Sequence, residues 1–182
     1  MKSVMLSIRP KWCLMIMRGD KTCEVRKTRP RLEPPFLCYI YASKGKDTLM
    51  GILKDGDTNF GEVYHGKPVF VKTPEVNRYQ INCQHVIGEF VCDKIIRSNN
   101  YDGTLAGQIM SGELNGFKTG MRVDEMTKYV GEDDFYFWHI HSYIHYGHAN
   151  ARPLSQFRSW GAEPGHHMKV APQSWCYVEE FE

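Results

Sequence analysis

Nothing in the 182 residues approaches the ~18 consecutive apolar residues that a membrane-spanning helix needs, so no helical span is expected. The opening MKSVMLSIRP lacks an apolar core and a small-residue cleavage site, and a cytoplasmic location is the expectation. No CxxC pair occurs among the six cysteines (Cys13, Cys23, Cys38, Cys83, Cys92 and Cys176), most of which lie in apolar runs such as LCYIY and EFVCDKI. That pattern argues against a zinc knot or a disulfide framework and for reduced, buried thiols. The chain has no internal repeat and no low-complexity tract. It also has little net charge, +2, which by itself points to no partner.

The distribution of charge is more informative. Residues 1–44 hold ten Lys/Arg against three Asp/Glu, and the remainder holds thirteen against eighteen. Such segregation favours a nucleic-acid or phosphate partner. With 42% hydrophobic and 24% charged residues the composition is that of an ordinary globular protein, and the length suits a single domain over 1–182.

Val4, Leu6 and Ile8 alternate with polar or small neighbours, predicting a strand that ends at Pro10. Pro10 then suits the first turn of a helix and Gly19 its C-terminal cap, with Trp12, Met15 and Ile16 as the buried stripe. TCEVR reads as a strand with Thr22, Glu24 and Arg26 on one face, RPRLEPPF as a rigid turn, and PFLCYIYASK as a buried strand that turns polar at Ser43 and Lys44. HVIGEFVCDKIIR is the clearest internal strand, with Gly88 at a bend or close approach. VDEMTKYV reads as a helix capped by Asp124 and Gly131, FYFWHIHSYIHYGHA as one or two strands, PLSQF as a helical turn and PQSWCYVEEF as a terminal strand. Two stretches read as loop insertions. The one near 47–82 carries a hairpin and a short VFV strand, and the one near 98–122 is polar and Gly-rich. Strands outnumber short helices, so the expected class is α+β around a small barrel or curved sheet. Five strands, at 4–8, 22–26, 37–42, 86–93 and 174–178, are expected to share one sheet.

GDKTCEVR places Gly19, Lys21, Glu24 and Arg26 on a GxKxxExR pattern. With the preceding LSIRP strand and the helix containing Trp12, this resembles the ASCH (activating signal cointegrator homology) family, whose fold is PUA-like. YIYASK and HVIGEFVCDKI resemble its barrel strands, and APQSWCYVEE resembles the last strand of bacterial and phage-type members. The resemblance implies a small β-barrel with short flanking helices and a cleft that binds RNA or a modified nucleoside. Lys21, Glu24 and Arg26 would line that cleft, with Ser43 and Lys44 at the neighbouring strand end and Arg9 and Trp12 beside them. Lys and Arg suit phosphate or carbonyl oxygens, and a glutamate accepts from the amine or ring N–H of a base. The alternative for the three motif residues is an ion pair on an exposed sheet face.

Some members of that family are amidohydrolases that deacylate cytidine through a Thr nucleophile supported by Lys and Glu, and ribonuclease activity has been proposed for others. This chain has Glu24 where the amidohydrolases have Thr, which leaves Thr22 as the substitute nucleophile. Were the chain an enzyme, Lys21 and Glu24 would be its acid–base pair. His139, His141, His145 and His148 form a run with aromatic neighbours and no Cys, Asp or Glu inside it, and read as hydrogen-bonded or solvent-facing rather than as metal ligands. No metal and no cofactor is expected. The expected partner is RNA or a nucleotide-like ligand.

Overall fold

The computed structural model describes residues 1–44, 63–64, 67–68, 82–100, 103–147 and 150–180. The first strand, β1 (Lys2–Ile8), leads into the helix α1 (Pro10–Met17) and then β2 (Cys23–Arg26) and β3 (Phe36–Ala42). Two short paired strands follow, β4 (Val63–Tyr64) and β5 (Lys67–Pro68), then β6 (His85–Cys92) and β7 (Ile95–Ser98). The helices α2 (Thr104–Met110) and α3 (Val123–Val130) precede β8 (Phe135–His139) and β9 (His141–His145). The chain closes with β10 (Arg152–Pro153), a 3-10 turn at Leu154–Gln156 and β11 (Trp175–Glu179). This is the α+β class expected. No helix among the described residues is long and apolar enough to cross a membrane. The VFV strand expected near 69–71 and His148 lie outside the described residues.

The larger sheet runs β10-β6-β3-β1-β11, with β9 also paired to β6, and β1 and β3 are its parallel pair. Four of the five strands expected to share a sheet do so. The fifth, β2, is paired instead with β8 in a smaller sheet, β2-β8-β7. The sheets are not independent, because β6 and β7 are separated only by Asp93 and Lys94, and β8 and β9 only by Ile140. Each pair is one bent path that passes from one sheet to the other, so the two sheets wrap around a common interior.

That interior is filled by Val4, Leu6, Ile8, Cys38, Ile40 and Phe90 of the large sheet, Trp138 of the small one, and Cys13, Leu14 and Ile16 of α1. Met5, Tyr39, Tyr41, Val86 and Val178 point to the opposite face of the large sheet, where Phe157 and Met168 cover them. β1 is therefore buried on both faces rather than alternating between core and solvent. The expected helix stripe is likewise shifted: Cys13, Leu14 and Ile16 enter the core, while Trp12 and Met15 are half-buried beside the chain at Gly120. A third cluster, including Val25, Ile96, Leu105, Met126, Val130, Phe135 and Phe137, seats α2 and α3 on the small sheet. The cap of α3 is Arg122, not Asp124. The Arg122 backbone N–H donates to Glu125 at 3.1 Å, and Asp124 sits inside the first turn.

None of the six cysteines is in a disulfide, four of them are fully buried, and burial pushes up the thiols of Cys13, Cys23, Cys38, Cys92 (to about 12) and Cys176 (to about 11). Gly88 of β6 pairs with His145 of β9 and leaves no room for a side chain. A Cβ there would run into the carbonyl oxygen of Ile144 and lie 3.0 Å from Cε2 of Tyr143. Gly88→Ala is accordingly expected to lower unfolding free energy by about 1–3 kcal/mol. Urea unfolding checks this, and an unchanged midpoint would show that the β6–β9 ladder gives way freely.

Candidate functional site

The approach to β2 is set by how α1 ends. Gly19, with φ +75°, lets the Gly19 N–H reach the carbonyl of Ile16 and the Asp20 N–H reach that of Met15, closing the helix with two crossed bonds. The Lys21 N–H also donates to Met15 O at 3.0 Å, so the chain reverses sharply and enters β2 with Lys21 turned inward. The N–H groups of Thr22 and Cys23 both donate to Lys118 O, so the segment around 116–121 lies along β2.

Lys21, Glu24 and Arg26 are 2%, 6% and 6% exposed. Lys21 Nζ donates to Cys23 O (2.8 Å) and Thr119 O (2.7 Å) and stands 3.2 Å from Glu24 Oε2. Arg26 Nη2 lies 2.9 Å from Glu24 Oε1. The same guanidinium donates to Ser7 O (2.9 Å), Ser174 O (3.2 Å) and Ser174 Oγ (3.1 Å). Arg26 thus spans from β2 to the end of β1 and the start of β11, bridging the two sheets where no backbone ladder is recorded among the described residues. A planar fork with five donors suits this; a single ammonium would not reach all four acceptors.

The exposed ion pair considered from sequence is therefore present but buried, and it belongs to the scaffold. Two of its buried atoms make no well-aligned hydrogen bond: Glu24 Oε2, which faces the Lys21 ammonium at 3.2 Å, and Arg26 Nε. Burial alone would raise the Glu24 carboxyl, but the Lys21 and Arg26 cations outweigh it and hold the group below its ordinary value.

This triad forms one wall of a cleft of about 680 Å³. All seven residues singled out from sequence (Arg9, Trp12, Lys21, Glu24, Arg26, Ser43 and Lys44) line it. β1 and β3 run parallel, so Arg9 and Ser43–Lys44 emerge at the same end of the large sheet, beside α1 and β2. Arg9 and Lys44 are exposed and make no ion pair among the described residues, whereas Trp12 is half-buried with Lys21 Nζ 5.4 Å from its ring centre.

Sequence reasoning does not bring Tyr41, Met121, Tyr129 or the Val170–Gln173 stretch to this cleft. Tyr129 is 41% exposed on α3, and its hydroxyl is raised by burial while it feels the charges of Arg26, Glu24 and Arg9. The available signal is the helix pattern itself: Met126 and Val130 fix the buried side of α3 and leave Tyr129 at its border.

Thr22 is a correction. Its Oγ1 donates to Gly116 O at 2.6 Å and accepts from the Lys118 N–H at 2.9 Å, and it is absent from the cleft lining. A hydroxyl committed to two backbone groups outside the cleft is not poised as a nucleophile there. In the histidine run, His139 bonds Asp93 at 2.6 Å and His145 contacts the Tyr143 hydroxyl at 3.1 Å. Among the described residues no His, Cys, Asp or Glu cluster has metal-binding geometry.

No family model and no curated protein matches the chain. Solved structures do. The ASCH protein of Zymomonas mobilis superimposes with a TM-score of 0.51 at 13% identity, covering 98% of this chain and 88% of that one. Two mutants of the same Zymomonas mobilis protein give 0.52 at 13% and 0.53 at 14%, covering 99% and 98% of this chain and 92% and 89% of theirs. At so low an identity the likeness concerns the path of the backbone, and it extends over nearly the whole length of both chains. The fold of this chain is that of an ASCH domain.

Proposed function

We propose that the cleft binds RNA or a nucleotide-like ligand. The observation that carries this reading is its lining: four cations, Arg9, Lys21, Arg26 and Lys44, against the single carboxylate of Glu24, with Trp12, Tyr41 and Tyr129 among them. A volume of about 680 Å³ falls within the ~300–1,000 Å³ typical of small-ligand sites. The ASCH-type fold supports the same reading, since the sequence resemblance carries the expectation of RNA or a modified nucleoside.

The cations divide into two roles. Lys21 donates to two backbone carbonyls and stands beside the Glu24 carboxylate, and Arg26 is committed to the seam, so both act chiefly by fixing Glu24 and the cleft wall. Arg9 and Lys44 are the cations left for phosphate oxygens at the mouth. The aromatic side chains of Trp12, Tyr41 and Tyr129 supply stacking area for a base.

Binding to single-stranded RNA should weaken with salt, each phosphate contact contributing about 0.7 to the slope of log K against log salt. Arg9→Ala and Lys44→Ala are each expected to reduce that slope by about 0.7 while leaving thermal stability unchanged, because both side chains are exposed. Fluorescence anisotropy over a salt series measures it. A salt-independent affinity, or variants with the wild-type slope, would remove the cleft from the interaction.

A further inference from the structure

A second cavity, of about 540 Å³, opens beside β9 and β10 and is lined by Ile144, His145, Tyr146, Asn150, Arg152 and Gln156 among others. Nothing in the reading of the main cleft uses it. At its centre the guanidinium carbon of Arg152 lies 4.8 Å from the ring centre of Tyr146, and the Tyr146 hydroxyl donates to Glu89 Oε2. That bond ties the tyrosine in place, so the stack is held from behind rather than free to turn.

The register of the large sheet sets where this cavity stands. Tyr41, a lining residue of the main cleft, pairs with Val86, and Val86 pairs on its other side with Arg152. Two strand spacings put Arg152 about 10 Å from Tyr41, and because Val86 between them is buried under Phe157 and Met168, a strand joining the two sites runs around that cover. At least about three stacked nucleotides at ~3.4 Å each are needed to join them.

Resting on the nucleotide-binding reading of the main cleft, we propose that this cavity is a second base subsite, in which one base of a single-stranded RNA stacks on the Arg152–Tyr146 pair. The chemistry favours a base over a phosphate. Glu89 stands behind Tyr146 and disfavours a second anion, whereas a neutral heterocycle gains from a guanidinium plane and from apolar contact with Ile144, which is 54% exposed. The edge of that base meets the amides of Asn150 and Gln156. Each of these groups can donate or accept, so the subsite tolerates more than one base.

The test compares the four nucleoside 5′-monophosphates with an unstructured eight-nucleotide RNA of mixed sequence, using wild type, Arg152→Ala and Arg152→Lys. Wild type should hold the octamer more tightly than any monophosphate. Arg152→Ala should weaken the octamer between about fivefold and a hundredfold, the range for one lost base stack, and leave the monophosphates unchanged. Arg152→Lys, which keeps the charge and loses the plane, should not restore the octamer. Octamer affinity unchanged in Arg152→Ala overturns the subsite, and full rescue by lysine replaces it with a phosphate contact. If wild type binds monophosphates and octamer equally, the main cleft stands and the second subsite falls. If it binds neither, both fall. Circular dichroism and the melting temperature of each variant separate a binding loss from misfolding.

Discussion

Replacing Glu24 with Gln is expected to lower the free energy of unfolding by about 3–5 kcal/mol, or the melting midpoint by roughly 6–20 °C for a chain of this size. The substitution keeps shape and volume and removes one charge. It leaves Lys21 and Arg26, 2% and 6% exposed, with no carboxylate between them, and an uncompensated buried charge is among the costliest defects a fold can carry. The buried ion pairs thus give Glu24 a scaffold role beside the ligand-lining role expected from the motif.

The same carboxylate gives the effect a pH signature. Burial works to raise its pKa, the two cations lower it further than burial raises it, and the folded value lies below the ordinary 4.5. A group with a depressed folded pKa contributes stability in full above its unfolded value, and that contribution is lost as pH falls through the folded one. Between about pH 7 and about pH 3 wild type should therefore lose more stability than Glu24→Gln, and the two curves should converge in acid. Parallel curves, or a variant as stable as wild type at neutral pH, would mean that the ion pairs are not what holds this wall.

Arg26→Met should cost a similar ~3–5 kcal/mol, for a reason that includes topology as well as charge. Its guanidinium ties β2 to Ser7 at the end of β1 and to Ser174 at the start of β11. Removing it opens the gap between the small sheet and the large one, so the damage should be local as well as global. The amide of Ser7, which donates to Ser174 O at 2.9 Å, is expected to lose hydrogen-exchange protection before the amides in the middle of β3. Arg26→Lys should recover the charge of the pair with Glu24 and not the bonds to both serines, and so fall between wild type and Arg26→Met. Equal protection at Ser7 in all three proteins would show that the seam is closed by other contacts.

Much of this arrangement can be read from local sequence because local chemistry determines it. Pro10 and Gly19 bound α1 through their own backbone limits, and the strands at Phe36–Ala42 and His85–Cys92 are apolar enough to have no other place in the fold. The seven candidate residues meet in one cleft because short connections hold Arg9, Trp12 and the motif together, and because β3 runs parallel to β1 and ends beside it.

What local sequence does not show is decided by partners far along the chain. Four residues of CEVR carry an alternation but not the identity of the strand they pair with, so the motif strand is expected in the large sheet and stands in the small one. Lys21 and Glu24 look like exposed charges until the 116–121 segment covers them, and that segment, polar and Gly-rich, reads as a surface insertion. Tyr129 and Gln173 reach the cleft from a helix and a loop more than a hundred residues beyond the motif, which no spacing rule connects to it. Asp124 looks like a better cap than Arg122. The helix starts where the Glu125 carboxylate can accept from the preceding N–H, and that places the aspartate inside the first turn.

We propose that the cleft walled by Lys21, Glu24 and Arg26 receives a nucleotide-like ligand at Arg9, Trp12, Ser43 and Lys44. The most direct measurement is a titration of isotope-labelled protein with single-stranded RNA, followed by amide and indole chemical shifts at low salt. The largest shifts are expected on Arg9, Ser43 and Lys44, on the indole of Trp12 and on Tyr129, with Gly131 and the interior of β11 unmoved. Shifts confined to residues outside the cleft, or none at any RNA concentration, would contradict it.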